Sequence, residues 1–393
     1  MEPVKDRIYA FDTIRTVMVL LGIVIHASML YRANIFNEAA FFSDPHSQSP
    51  VFNVLSDFIH IFRMPVFFSI SGFFTALIYF ERGVRQLVAN RLHRLVYPFI
   101  AGIAIILPIH VFSLNFFALS LAKTDNRYTL AWSALREINL ESIETAHLWF
   151  LYYLILYCVT VVLPVYGIEK MFPAAKKQWT FWFGRLFHKT AAPILFAIPT
   201  LVCLWVMDTF DVKAAHSLTP KLGFYTYYAV FFLFGWLCYS IRGRLSRFEK
   251  QVPIYLVVAI ALFGARWYCL VRYSDTTIPA NFKGQLQVVL EVLLAFNTWF
   301  FTFGIIGFFL KFFNRPSRIS RYLSDGSYWI YLIHMPMVIY FQSLLLAYNL
   351  PVFVKFLVVM LATIFVTVLS YNYLVRNTFI GKFLNGRRYP RGF

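Results

Sequence analysis

Residues 9–31 read YAFDTIRTVMVLLGIVIHASMLY, an apolar run interrupted only by Asp12, Arg15 and His26 among its ionisable groups. A hydrocarbon core of ~30 Å needs about 20 mostly apolar helical residues, so this run is long enough to cross a bilayer. Charge breaks its apolar centre and no small-residue cleavage pattern follows, so it is expected to remain as a first membrane span and not to act as a signal peptide. Arg15 and His26 stand eleven residues apart. At about 100° per residue both come within about 20° of one helix face, separated by ~16 Å of rise. Gly22 lies between them on that face. The spacing predicts a groove with a cation near one end and an imidazole deeper in, suited to an elongated anionic ligand. A plainer reading stays open, in which Arg15 snorkels beside Asp12 and His26 bonds a neighbouring helix.

Outward from this stretch the same texture repeats. The chain has 393 residues, 60% hydrophobic, 20% aromatic and 14% charged, with a mean hydropathy of +0.64. Aqueous domains run near a quarter charged, so most of this surface is expected to face lipid. Ten windows reach spanning length: 9–31, 55–79, 95–117, 147–168, 190–209, 222–241, 252–271, 286–310, 325–347 and 352–375. Unsatisfied backbone is costly in hydrocarbon and the alternation of a barrel strand is absent, which predicts an all-α integral membrane protein with about ten transmembrane helices.

The net charge of +18 would ordinarily suggest nucleic acid. Position argues otherwise, because 24 of the 36 Lys and Arg residues fall in the segments on the N-terminal side of the membrane and only 8 in the opposite ones. That bias orients the chain with N- and C-termini cytoplasmic, and the expected partner is the lipid bilayer, with no nucleic acid. Cys158, Cys203, Cys238 and Cys269 lie in apolar segments without CxxC spacing and read as small core residues. No linker, low-complexity tract or internal repeat divides the sequence, so residues 1–393 are expected to form one membrane domain without a separate soluble one.

Ionisable residues inside spans are costly and point to function. The second window contains DFIHIFRMPVFFSISGFF, residues 57–74, which sets Asp57, His60 and Arg63 on one ridge at successive i, i+3 positions. A structural ion-pair cluster would explain them too. Ser69, Ser71 and Gly72 follow deeper, as helix packing or as a lining. Arg82, Arg85, Arg91 and Arg94 come next, and the pair in RLHR shares a face; arginine forks suit phosphates, although orientation alone also places arginines there. His147 opens AHLWFLYY, His334 sits within YLIHMP, and Glu291 is a buried carboxyl with a plain structural reading as a protonated, hydrogen-bonded acid. There is no Gly-rich phosphate loop, HExxH, GxSxG or Asp-rich metal motif, which removes most ATP-driven and zinc-dependent chemistry.

Taken together, FDTIRTVMVLLGIVIHAS, FRMPVFFSISGFF, RLHRLVYP, HLWFLYY and YWIYLIHMP resemble membrane acyltransferase family three, ten-span enzymes that modify extracytoplasmic polysaccharides and other acceptors. The second-window motif and the HLWFL start of the fourth are similar to the branch that includes the succinyltransferase of osmoregulated periplasmic glucans. The resemblance implies a multi-pass protein of the bacterial inner membrane. It implies acyl-CoA as cytoplasmic co-substrate, no tightly bound cofactor or metal, and a glycan hydroxyl outside as acceptor. Arg15 with Arg91 and Arg94 would hold the donor's phosphates or thioester arm, and His26 would be the base. Ser71 and Gly72, with Ser69, would line the acyl channel or carry a transient acyl group, and His147 and His334 would lie on the acceptor side.

The chemistry agrees. A hydroxyl is a poor nucleophile at neutral pH, so a neutral imidazole is a natural base, and a cation such as Arg63 can stabilise the oxyanion. A carboxylate, Asp57 or Glu291, is expected to fix the His26 tautomer, and His60 is the next candidate for the base. The rival reading is a transporter or flippase of a glycan or lipid-linked intermediate; no pair of broken helices or inverted repeat speaks for it.

Overall fold

The computed structural model describes residues 8–35, 43–137, 144–172, 182–185, 190–212 and 214–390. The described chain is built almost wholly of helices, with two isolated bridges, Arg32 to Ser49 and Glu144 to Ser217, and no strand among the described residues. Eight helical runs are long and apolar enough to cross a membrane. One of them, Pro50–Leu121, contains two of the predicted windows, and Ala192–Met207 is a shorter apolar helix, so each of the ten windows is occupied by helix.

In chain order the elements are α1 (Tyr9–Met29), α2 (Pro50–Arg91), α3 (Leu107–Leu121), α4 (Arg127–Ser133), α5 (Trp149–Thr160), α6 (Val162–Met171), α7 (Ala192–Met207), α8 (Leu222–Ser240), α9 (Ser246–Ser274), α10 (Ala280–Phe313), α11 (Arg318–Leu345), α12 (Val352–Ser370) and α13 (Phe379–Asn385). α1 is central: it packs on α2, α10, α11 and α12. Its shell consists of the α2–α8 and α9–α10 pairs with α7 and α3 beside them.

Local sequence explains the departures from straight helix. The polar run 81–94 is helical except at Gly83, whose φ of 80° and ψ of 168° break α2 in a region open only to glycine. Wide π-type turns at Leu92–Val96 and Gly102–Ile106 then lead into α3. Small residues allow α2 and α8 to touch backbone to backbone. A Cβ on Gly72 would collide with the Phe232 carbonyl, and one on Gly235 with the Ser69 carbonyl.

The interior is aromatic. Trp299 is fully buried, stacks on Phe231 at 4.6 Å and donates Nε1–H to Thr200 at 2.8 Å. Outer faces are apolar as well: Ile254, Val257 and Ile260 of α9 and Leu357, Leu361 and Phe365 of α12 are exposed, a belt far more apolar than water tolerates on a soluble surface. Lys355, the one basic residue of α12, is fully buried and ion-paired with Asp44 at 2.6 Å.

Candidate functional site

A cavity of about 1360 Å³ enters the bundle from the Met29 end of α1. It runs down the α1 face that carries His26 and Gly22 and ends at Met18, one turn short of Arg15. Six of the chain's nine histidines line it: His26, His60, His110, His147, His216 and His334. Among the described residues no three His, Cys, Asp or Glu side chains are grouped as metal ligands.

Backbone carbonyls fix four of these rings. A carbonyl only accepts, so the ring nitrogen facing it carries the proton, and in the neutral ring the other nitrogen presents a lone pair. His334 gives Nδ1–H to the Tyr331 carbonyl at 2.7 Å, and His147 gives Nε2–H to the Leu332 carbonyl at 2.9 Å. The Tyr331 hydroxyl returns a bond of 2.6 Å to the His147 carbonyl, tying α11 to the start of α5. His60 donates Nε2–H to Val212 at 3.0 Å and His216 donates Nδ1–H to Ala146 at 2.9 Å. The free nitrogens of His147 and His334, like His26 Nδ1, are buried and have no partner among the described residues. The rings form a series, with centroids 5.3 Å apart from His26 to His334, 5.3 Å from His334 to His147 and 6.1 Å from His147 to His110.

The predicted ridge of α2 is present, but its members differ. Asp57 is taken by the buried Arg266 in a close ion pair. Among the described residues Arg63 donates only to the sulfur of Met64, at 3.5 Å, and its Nε is buried without a partner. Room for its guanidinium comes from α1: the position of a Cβ on Gly22 would be 2.5 Å from Arg63 Nη1 and 3.6 Å from His334 Nε2. A cation with no carboxylate partner among the described residues thus sits beside two imidazoles.

Two expectations are corrected. Neither carboxylate orients His26, because Asp57 serves Arg266 and Glu291 bonds Gln287 at 3.3 Å, away from the cavity. The structure also does not bring Ser69, Ser71 and Gly72 to the cavity. The two hydroxyls bond carbonyls of their own helix, Pro65 at 2.8 Å and Phe67 at 2.9 Å, and Gly72 faces α8. Sequence reasoning passed over His110, a lone histidine in the third window, and His216, Arg266 and Tyr331, whose roles depend on pairings between distant helices.

Arg15, Arg91 and Arg94 gather at the Tyr9 end, outside the cavity, close enough for their charges to interact. Arg15 donates to the Ser324 hydroxyl at 2.5 Å and lies 3.8 Å from Asp12. Arg91 reaches back across the Gly83 break to the Thr75 hydroxyl at 2.9 Å, whereas Arg94, beyond the start of the π-type turn, donates to the Asn385 carbonyl at 2.7 Å. The two guanidinium groups therefore bond different partners.

The acyltransferase domain family matches residues 8–372. The chain is 23% identical over 360 residues to glucans biosynthesis protein C of Escherichia coli O139:H28, covering 87% of this chain and 85% of that protein. It is 26% identical over 351 residues to the Salmonella schwarzengrund protein of that name, covering 86% and 84%. No solved structure matches the chain.

Proposed function

The chain belongs to the acyltransferase domain family, and from that premise we propose that it is an O-acyltransferase of the bacterial inner membrane. It moves an acyl group, succinyl or acetyl, from cytoplasmic acyl-CoA to a hydroxyl of an extracytoplasmic glycan, a periplasmic glucan in the first instance. The name of its relatives, glucans biosynthesis protein C, supports a glucan as acceptor.

One observation carries this reading: the cavity that holds His26 and Arg63 ends within one turn of Arg15, whose end of the bundle gathers the arginines. A donor whose phosphates rest on those arginines needs to pass only its acyl arm over Met18 to reach the imidazoles. The acceptor enters from the Met29 end.

In the reaction, the acceptor oxygen attacks the thioester carbon while His26 takes the hydroxyl proton. The N–H groups of Arg63 stabilise the oxyanion, the C–S bond breaks, and the thiolate leaves with the proton returned from His26. His147 and His334 line the same cavity as His26. Mass spectrometry of envelope glycans with and without the gene tests this reading. Loss of ester groups from an otherwise intact glycan is expected; loss of the glycan from the envelope would favour a transporter.

A further inference from the structure

A base needs an orienting partner, and among the described residues no carboxylate supplies one to His26. We infer that His334 does so, as a positioning residue in an imidazole dyad. The inference rests on the reading of His26 as base.

The geometry is specific at three points. First, His334 Nδ1–H is held by the Tyr331 carbonyl at 2.7 Å, so Nε2 of the neutral ring can only accept. Second, the two buried atoms left without partners on facing rings are His334 Nε2 and His26 Nδ1, the pair that would bond. Third, the ring centroids lie 5.3 Å apart. A bond of ~3 Å between nitrogens each about 1.1 Å from its ring centre requires about 5 Å, so a small turn of either ring closes it. The series then runs from the Tyr331 carbonyl through His334 to His26 Nδ1–H, and leaves the lone pair of His26 Nε2 for the acceptor hydroxyl.

Other occupants of that lone pair fit less well. His147 is also 5.3 Å from His334, but its proton is held on Nε2 by Leu332, so its neutral ring turns a lone pair toward His334. Arg63 is the remaining donor, since its Nη1 borders the same space beside Gly22.

The test uses the full chain in vesicles, with succinyl-CoA or acetyl-CoA as donor and a glucan oligosaccharide as acceptor. His334→Asn keeps a donor for Tyr331 but is too short to reach His26, whereas His334→Gln places an amide oxygen where Nε2 was. The Asn variant should lose about 10- to 100-fold in kcat with both KM values unchanged, and Gln should recover most of it. In a His26→Ala background the Asn change should have no further effect.

A Gln variant no better than Asn, a loss confined to acceptor KM, or a full Asn effect persisting without His26 overturns the dyad; the last outcome assigns the lone pair to Arg63. The melting temperature of each variant separates these outcomes from misfolding, and Gln against Asn remains decisive because both are polar. The two readings fail differently. Near-normal turnover in His26→Ala removes the base itself, whereas an inactive His26→Ala beside an unaffected His334→Asn removes only the dyad.

Discussion

The Leu332 carbonyl accepts the Nε2–H of His147 at 2.9 Å because Pro336, four residues further along α11, has no N–H to offer it. A proline inside a helix frees one carbonyl. Here that carbonyl fixes the tautomer of a histidine from another helix, which gives the HMP of YLIHMP a physical meaning. Pro336→Ala restores the amide that would compete for the Leu332 carbonyl. We expect transfer to fall about tenfold while the melting temperature holds or rises, since a helix interior prefers Ala to Pro. Initial rates set beside thermal unfolding decide it, and unchanged rates would leave this link without a functional role.

Gly22 gives Arg63 its place. A methyl group there would sit 2.5 Å from Nη1, the far end of a flexible side chain, so Gly22→Ala should leave the helix standing and displace the guanidinium. Oxyanion donors are worth about 10² to 10³ in kcat. A displaced one should cost about 10- to 100-fold, with acyl-CoA binding unchanged. Arg63→Lys should behave similarly, for want of the planar fork. Full activity in both variants would exclude Arg63 from the chemistry.

Asp57 has a structural role that its position on the α2 ridge conceals. Arg266 is 2% exposed and paired with it, so Asp57→Asn strands a buried cation, at a cost of about 3–5 kcal/mol. The melting temperature should drop sharply, and Asp57→Asn combined with Arg266→Gln should recover most of it. A single variant that melts normally yet transfers nothing would return Asp57 to the reaction.

These relationships show how far the sequence could be read. Hydropathy alone gives the helical class and the places of the long apolar helices, because chain length in hydrocarbon leaves little choice. The shared face of Arg15 and His26 predicts the axis along which the cavity runs, since one helix carries both. Partnership between helices is not legible in the same way. Nothing in FRMPVFFSISGFF says that its serines and glycine face α8, and nothing in the α2 ridge says that Asp57 meets a residue more than two hundred positions on. The RLHR spacing misleads for a local reason, since the π-type turn begins between the two arginines and sends them to different partners.

The arginines of that motif allow the last prediction. Arg91 meets Thr75 only because Gly83 turns the chain, and a Cβ at Gly83 would touch nothing within 4 Å. Gly83→Ala therefore costs backbone strain alone, about 1–3 kcal/mol, and should lower both melting temperature and donor affinity. Replacing Arg91 and Arg94 by Ala should instead weaken acyl-CoA binding and leave the melting temperature in place, because these guanidinium groups bond one hydroxyl and one carbonyl and contribute little to the core. Lys at both positions should recover part of the affinity, through charge without the fork. Binding of acyl-CoA to purified protein, measured by calorimetry beside the melting curves, separates the two kinds of variant. An unchanged dissociation constant in the double Ala variant would move the donor away from this end of the bundle.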